Sequence, residues 1–173
     1  MSERCKDIVI KGYSGSRGAA FLASSNMDKL KARFRPDYLE RELDALETDI
    51  KTREEIQTAE HADKESASEH PEGILRGLYD LAVQMRCGMR IELKKIPVRQ
   101  FTVEICELCG ANPYRIPSDS VIELCGSGDG SAGERRVQEL SERNIIAACI
   151  GCTTDGLDKV ITDKTNTEYI NKE

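Results

Sequence analysis

The chain has 173 residues, a formal net charge of −6 and no apolar run long enough to cross a membrane, so the expectation is one sizeable soluble domain. Its N-terminus, MSERCKDIVI, has no signal-peptide stretch; a cytoplasmic location follows, and seven cysteines then imply reduced thiols rather than a disulfide framework. Residues 37–72 hold thirteen acids against four bases, which puts −9 on that segment and +3 on the rest; with no basic stripe interleaved with aromatics, no nucleic-acid partner is expected.

In chain order, DIVIKG (7–12) reads as a strand, and SGSRGAAFLASS (14–25) turns on its glycines into a small-residue helix. Pro36 and Asp37 start a long helix with Leu39, Leu43, Leu46 and Ile50 on its inner face and its acids outside. Residues 60–71 have almost no large apolar side chain and read as an exposed acidic connection. Ile74, Leu78, Leu81, Ala82 and Met85 then mark an amphipathic helix ended by Cys87 and Gly88. MRIEL (89–93) alternates as a strand, and KKIPVRQ leads into a helix carrying Phe101, Ile105 and Leu108, capped by Gly110. Strand 120–125, a glycine-rich loop, helix 133–144 and strand 145–151 follow, and the tail reads as a hairpin turning near Asp163–Asn166. Helices and strands in this order give an α+β fold, helices layered on a mixed sheet, in a single domain over 1–173.

Four motifs bear on chemistry. GDGSAG (128–133) fits G-x-G-x-x-G between a strand and a helix, the context of a dinucleotide fingerprint, whereas Glu134 in the first helical turn and Asp155 beyond the second strand favour a surface turn. His61 and His70 lie in the acidic connection; a metal or general-base role needs convergent partners, and the plainer reading is a solvated histidine near a helix start. Ser118, Asp119 and Ser120 precede a strand without a nucleophile elbow. CELC (106–109) and CIGC (149–152) could close a zinc tetrahedron through Cys106, Cys109, Cys149 and Cys152, or serve as a thiol sensor. Against zinc, Cys109 continues the apolar face of its helix, and strand alternation should send Cys149 and Cys152 to opposite sheet faces.

Three stretches, DIVIKGYSGSRGAAFLA (7–23), EGILRGLYDLAVQMRCGMRIELKKIPVRQFTVEICELCGANPYRIPSDS (72–120) and ELSERNIIAACIGCTTDG (139–156), resemble the AIR synthase-related proteins, and among them the C-terminal domain of HypE-like hydrogenase-maturation members. The most specific pieces run from Lys95 to Glu107 and from Gly110 to Tyr114. This resemblance implies the AIR synthetase C-terminal fold, normally joined to an ATP-binding domain with which it uses ATP and Mg²⁺ for phosphoryl transfer. Carried over by residue, it implies a phosphate and substrate cleft with Gly15 and Gly18 in a first turn, Glu72 and Gly73 in a second, and Ser118 and Ser120 in a third. The chain departs from the family in lacking the ATP-binding domain, in the altered turns ASEHPEGI and Ser118-Asp119-Ser120, and in ending EYINKE without a terminal cysteine. The expectation is therefore a domain not catalytically self-sufficient, holding no cofactor alone and working with an ATP-binding domain in cis or in trans, or as a homodimer.

Overall fold

In a computed structural model, which describes residues 5–53, 66–67, 69–126, 128–163 and 166–170, strand β1 (Asp7–Lys11) is an interior strand with all five residues buried. It pairs antiparallel with both β4 (Val121–Cys125) and β5 (Ala147–Thr154). The seven-stranded sheet runs β2 (Ser66–Ala67), β4, β1, β5, β3 (Gly88–Glu92), β6 (Lys159–Asp163), β7 (Asn166–Tyr169). Only β3 and β6 are parallel, so the sheet is mixed, as read from the sequence.

Alternation along β1 sorts its side chains between two helical layers. Ile8 and Ile10 join Ile122, Leu124, Met89, Ile91 and Ile150 beneath helix α4 (Ile74–Met85). That helix buries Ile74, Leu75, Leu78, Leu81 and Ala82, and each large member stabilises the fold by about 1.5–3 kcal/mol. It stops where Arg86 turns left-handed at φ 54 and the Cys87 N–H reaches the Ala82 carbonyl. On the opposite face, Val9 meets Leu140 under helix α6 (Ser131–Glu142).

A second core is all helical. Helices α1 (Ser16–Ser25), α2 (Met27–Arg33), α3 (Pro36–Lys51) and α5 (Gln100–Cys109) enclose Ala19, Leu30, Leu39, Leu46, Phe101 and Ile105, with Ile116 closing one side. Helix α2 is not expected from the sequence. It exists because Asn26 stops α1 by bonding the Leu22 carbonyl, and the chain restarts at once with Leu30 as its single buried anchor.

Two charges of β1 are buried. The Lys11 ammonium lies 2.8 Å from Glu123, whose carboxylate also takes the Arg136 Nε at 2.7 Å. Burial pushes the Glu123 carboxyl up, but Arg136 and Lys11 together outweigh it and hold it below its ordinary value. Within the acidic connection, residues 60–65 and 68 lie outside the described residues, as do His61, residues 54–59 of the acidic run and the turn residues 164–165. Of the described part, 66–67 form a short strand rather than a loop, and 69–71 include His70, which bridges to Ser118.

Candidate functional site

Residues 113–120 gather the three turns implied by the resemblance. Gly15, the residue before α1, has φ +81, and a Cβ there would lie 2.8 Å from the Pro113 carbonyl oxygen. At Gly18, one turn on, an added Cβ would sit 2.6 Å from the Ile116 Cβ, while its N–H bonds the Pro117 carbonyl at 2.9 Å. Gly73 (φ +93) opens α4 with its α-carbon face against Arg115, where a Cβ would fall 2.4 Å from the Arg115 Cα. Packing of one loop against two helix starts thus accounts for all three glycines.

The serines lie inside this junction. Ser118 and Ser120 are almost fully buried, and the hydroxyls of Ser14, Ser120 and Ser118 form a chain with links of 2.9 Å. His70 joins it from the second turn: its N–H and carbonyl pair with Ser118, and its Nε2 donates to the Ser120 carbonyl at 2.9 Å. The reading of His70 as a solvated histidine is wrong, since it is 4 % exposed and the small Gly77 makes room for the ring. Burial lowers its pKa, against smaller opposing contributions from the Ser120 carbonyl and Asp119. Neutral His70 is therefore a structural pin between turns. Glu72 is the one member not brought in; its exposed side chain pairs with Arg76 at 3.0 Å.

Around this junction lie three arginines that sequence reasoning did not single out. Arg17 donates to Asp119 at 2.7 Å, Arg53 is paired to Glu69 and lies 3.9 Å from Asp119, and Arg99 makes a two-point contact with Asp49 at 2.5 and 2.7 Å. Ser16 also donates to Asp49, and the Arg99 guanidinium stacks on Tyr13 at 4.2 Å. A cleft of about 450 Å³ opens beside this pair, lined also by Gly12, Thr48, Thr52 and Arg143. Each of the three cations is thus matched by an internal carboxylate. The same three carboxylates are poor candidates for Mg²⁺, being engaged by guanidinium, and among the described residues no three His, Cys, Asp or Glu side chains gather to hold a metal ion.

The zinc quartet is not assembled. Cys106 is buried in the helical core with Cys109 at its edge, whereas Cys149 lies against the sheet under α6. Strand alternation fails for the second pair, because β5 carries a bulge: Val9 faces Cys149, Ile8 faces Gly151 and Asp7 faces Cys152. Cys149 and Cys152 consequently share the α6 face rather than opposing faces. Burial raises the thiol of Cys106 to about 11 and also raises those of Cys149 and Cys152, the reverse of what a thiolate ligand or redox cysteine needs.

The glycine-rich loop is likewise occupied from within. Fully buried Asp7 accepts the Gly130 N–H through Oδ1 and the Gly133 N–H through Oδ2, each at 2.8 Å. Its carboxylate fills the spot at the start of α6 where a pyrophosphate would lie, which starts the helix two residues earlier than its sequence pattern suggests.

No protein-family model and no curated protein sequence matches the chain. Solved structures do. The E. coli hydrogenase maturation protein HypE aligns with a TM-score of 0.71 and 15 % identity over 100 % of this chain and 51 % of that one. The chain has the fold of about half of HypE. Thiamine-monophosphate kinase from Stenotrophomonas maltophilia aligns with a TM-score of 0.60 and 13 % identity over 93 % of this chain and 51 % of that one. A HypE solved in complex with ATP gives 0.58 and 14 % over 96 % and 50 %. The chain thus spans about half the length of the structures it matches. The α+β architecture read from the sequence, helices layered on a mixed sheet, is the one observed, and it is shared with HypE across the whole of this chain.

Proposed function

We propose that the chain serves as the C-terminal-type domain of an AIR synthase-related, ATP-using protein. In this reading it supplies the turns at Gly15 and Gly18, Glu72 and Gly73, and Ser118 and Ser120 to a phosphate and substrate cleft. The observation that carries the reading is the junction itself: three turns far apart in sequence meet on residues 113–120 with Arg17, Arg53 and Arg99 around them. The neighbours solved with ATP, and with AMPPCP and TMP, support the nucleotide part of it.

In this reading the chain is not self-sufficient. Phosphate recognition rests on cations and N–H groups free to point at the ligand. Here the serine hydroxyls are spent on one another, and a phosphate would have to displace Asp119, Glu69 or Asp49 to reach an arginine. ATP, if bound, would supply the transferable phosphoryl group; this chain's residues would position and neutralise, and the ligands for Mg²⁺ would come from a partner ATP-binding domain, in cis or in trans; a homodimer is the alternative partner. A HypE solved in complex with HypF gives a precedent for partner binding on this fold.

Titration with pyrophosphate, followed by amide chemical shifts, tests the cleft. Millimolar-range shifts confined to residues 14–19, 72–74 and 115–120 are expected, and shifts absent or centred elsewhere would overturn it. Calorimetry tests dependence on a partner: the isolated chain should hydrolyse no ATP, and micromolar binding of ATP with Mg²⁺ would remove that part of the proposal.

A further inference from the structure

Away from the turn junction, the helical core leaves an apolar groove open. Its floor is made by Met27, Phe34, Pro36, Leu39 and Leu43, between α2 and α3, with a volume of about 410 Å³. At Phe34 it meets a second hollow of about 250 Å³ that runs to Leu108 on α5. Phe34 is a fixed floor rather than a mobile one, since its ring lies 5.5 Å from Tyr38 and 5.6 Å, edge-on, from Phe101. From Leu43 to Asp49 the rise along α3 is about 9 Å, so the groove is separate from the cleft beside Arg99.

The rims carry opposite charge. Lys31 and Arg33 stand on the α2 side, Glu40 and Glu107 on the α3 and α5 side. None of these four is in ion-pair contact with an opposite charge among the described residues. An apolar trough between a basic and an acidic wall matches an amphipathic helix with an apolar stripe, acids along one flank and bases along the other.

Among the described residues no element supplies that helix. The chain's exposed large apolar residues, Phe21, Val83, Ile146, Leu157 and Tyr169, stand on different elements, so among the described residues no second copy offers a stripe. In sequence, residues 54–65 contain Ile56 as their single large aliphatic, which is too little to fill the trough. We propose that the α2–α3–α5 groove docks an amphipathic helix of a different protein, with its acidic flank on Lys31 and Arg33 and its basic flank on Glu40 and Glu107. This goes beyond the cleft reading and stands whether or not that reading holds.

The test uses the full chain and a labelled synthetic helical peptide of about four turns, with leucines at i, i+3, i+4 and i+7, glutamates on one flank and lysines on the other. Fluorescence anisotropy should give saturable binding, at least tenfold weaker for a peptide of the same composition with its flank charges scrambled. The surface variant E40K/E107K should weaken the first peptide at least tenfold and gain affinity for a peptide with glutamates on both flanks. No binding, equal binding of the scrambled peptide, or indifference to the charge reversal overturns the proposal. So does a dimer in sedimentation velocity that E40K/E107K dissociates, because the groove would then belong to a second copy.

Discussion

Asp7 and Gly133 lie 126 positions apart, yet the Gly133 N–H donates to the Asp7 Oδ2 at 2.8 Å, at the point where a fingerprint glycine would present its amide to a bound phosphate. A loop that looks ready for an anion is therefore satisfied by the protein's own carboxylate. Asp7→Asn keeps the shape but turns an amide NH₂ toward one of the two backbone donors. It should cost about 1–3 kcal/mol, read as a lower urea midpoint with unchanged slope.

Two glycines with positive φ but different ψ, 31 at Gly110 and 168 at Gly73, should respond differently to alanine. At Gly110 (φ +67) nothing lies within 4 Å of an added Cβ, so Gly110→Ala should cost only the left-handed penalty of about 1–2 kcal/mol. At Gly73 a Cβ would strike the Arg115 backbone, and relief requires moving the 113–120 loop. Gly73→Ala should therefore lose more stability than Gly110→Ala by denaturant titration and shift the amide resonances of Ser118 and Ser120. Equal costs would remove Gly73 from the junction.

Burial sets the pH response of His70. Its folded pKa is lowered, so the unfolded chain binds the proton first. Its contribution is full above the unfolded value of about 6.5 and is lost as pH falls from there through the folded pKa. Stability measured between neutral and mildly acid pH should fall in the wild type, and part of that fall should be missing in His70→Gln. A slope unchanged by the substitution would mean that the ring is solvated.

Thiol order follows burial. Cys106, 1 % exposed with its thiol pushed to about 11, should be the slowest of the seven cysteines with iodoacetamide at mildly alkaline pH. Peptide mapping after timed quenching checks this, and early alkylation of Cys106 in the folded protein would contradict it. Elemental analysis of protein prepared without chelator should show no stoichiometric zinc.

Local patterns made much of the fold legible. Helix α4 follows from apolar residues spaced three and four apart, and β1 from a short apolar run with a glycine after it. What stayed hidden depends on partners distant in the chain. His70 sits among acids in EHPEG and reads as solvated; the backbone of Ser118 and Ser120, some fifty residues on, and the bare face of Gly77 bury it. The arginines at the junction are ordinary surface residues in sequence, because their carboxylates come from other elements. Asp7 looks like a polar strand start until the glycine loop closes over it. The turn glycines came from a family resemblance and not from spacing, and the structure adds the packing reason for each.

The bulge in β5 was signalled only by Gly151, a glycine inside a strand. Its effect is one of parity. Up to Cys149 the odd-numbered residues of β5 line the α6 wall; from Cys152 onward the even-numbered ones do. Removing one residue at Ile150–Gly151 would restore a strict two-step count and leave every later position on the wall it now faces, whereas straightening the strand with both residues kept would exchange the walls. Any comparison that aligns this segment without allowing for the extra residue would assign Cys152, Thr153 and Thr154 to the wrong sides of the sheet.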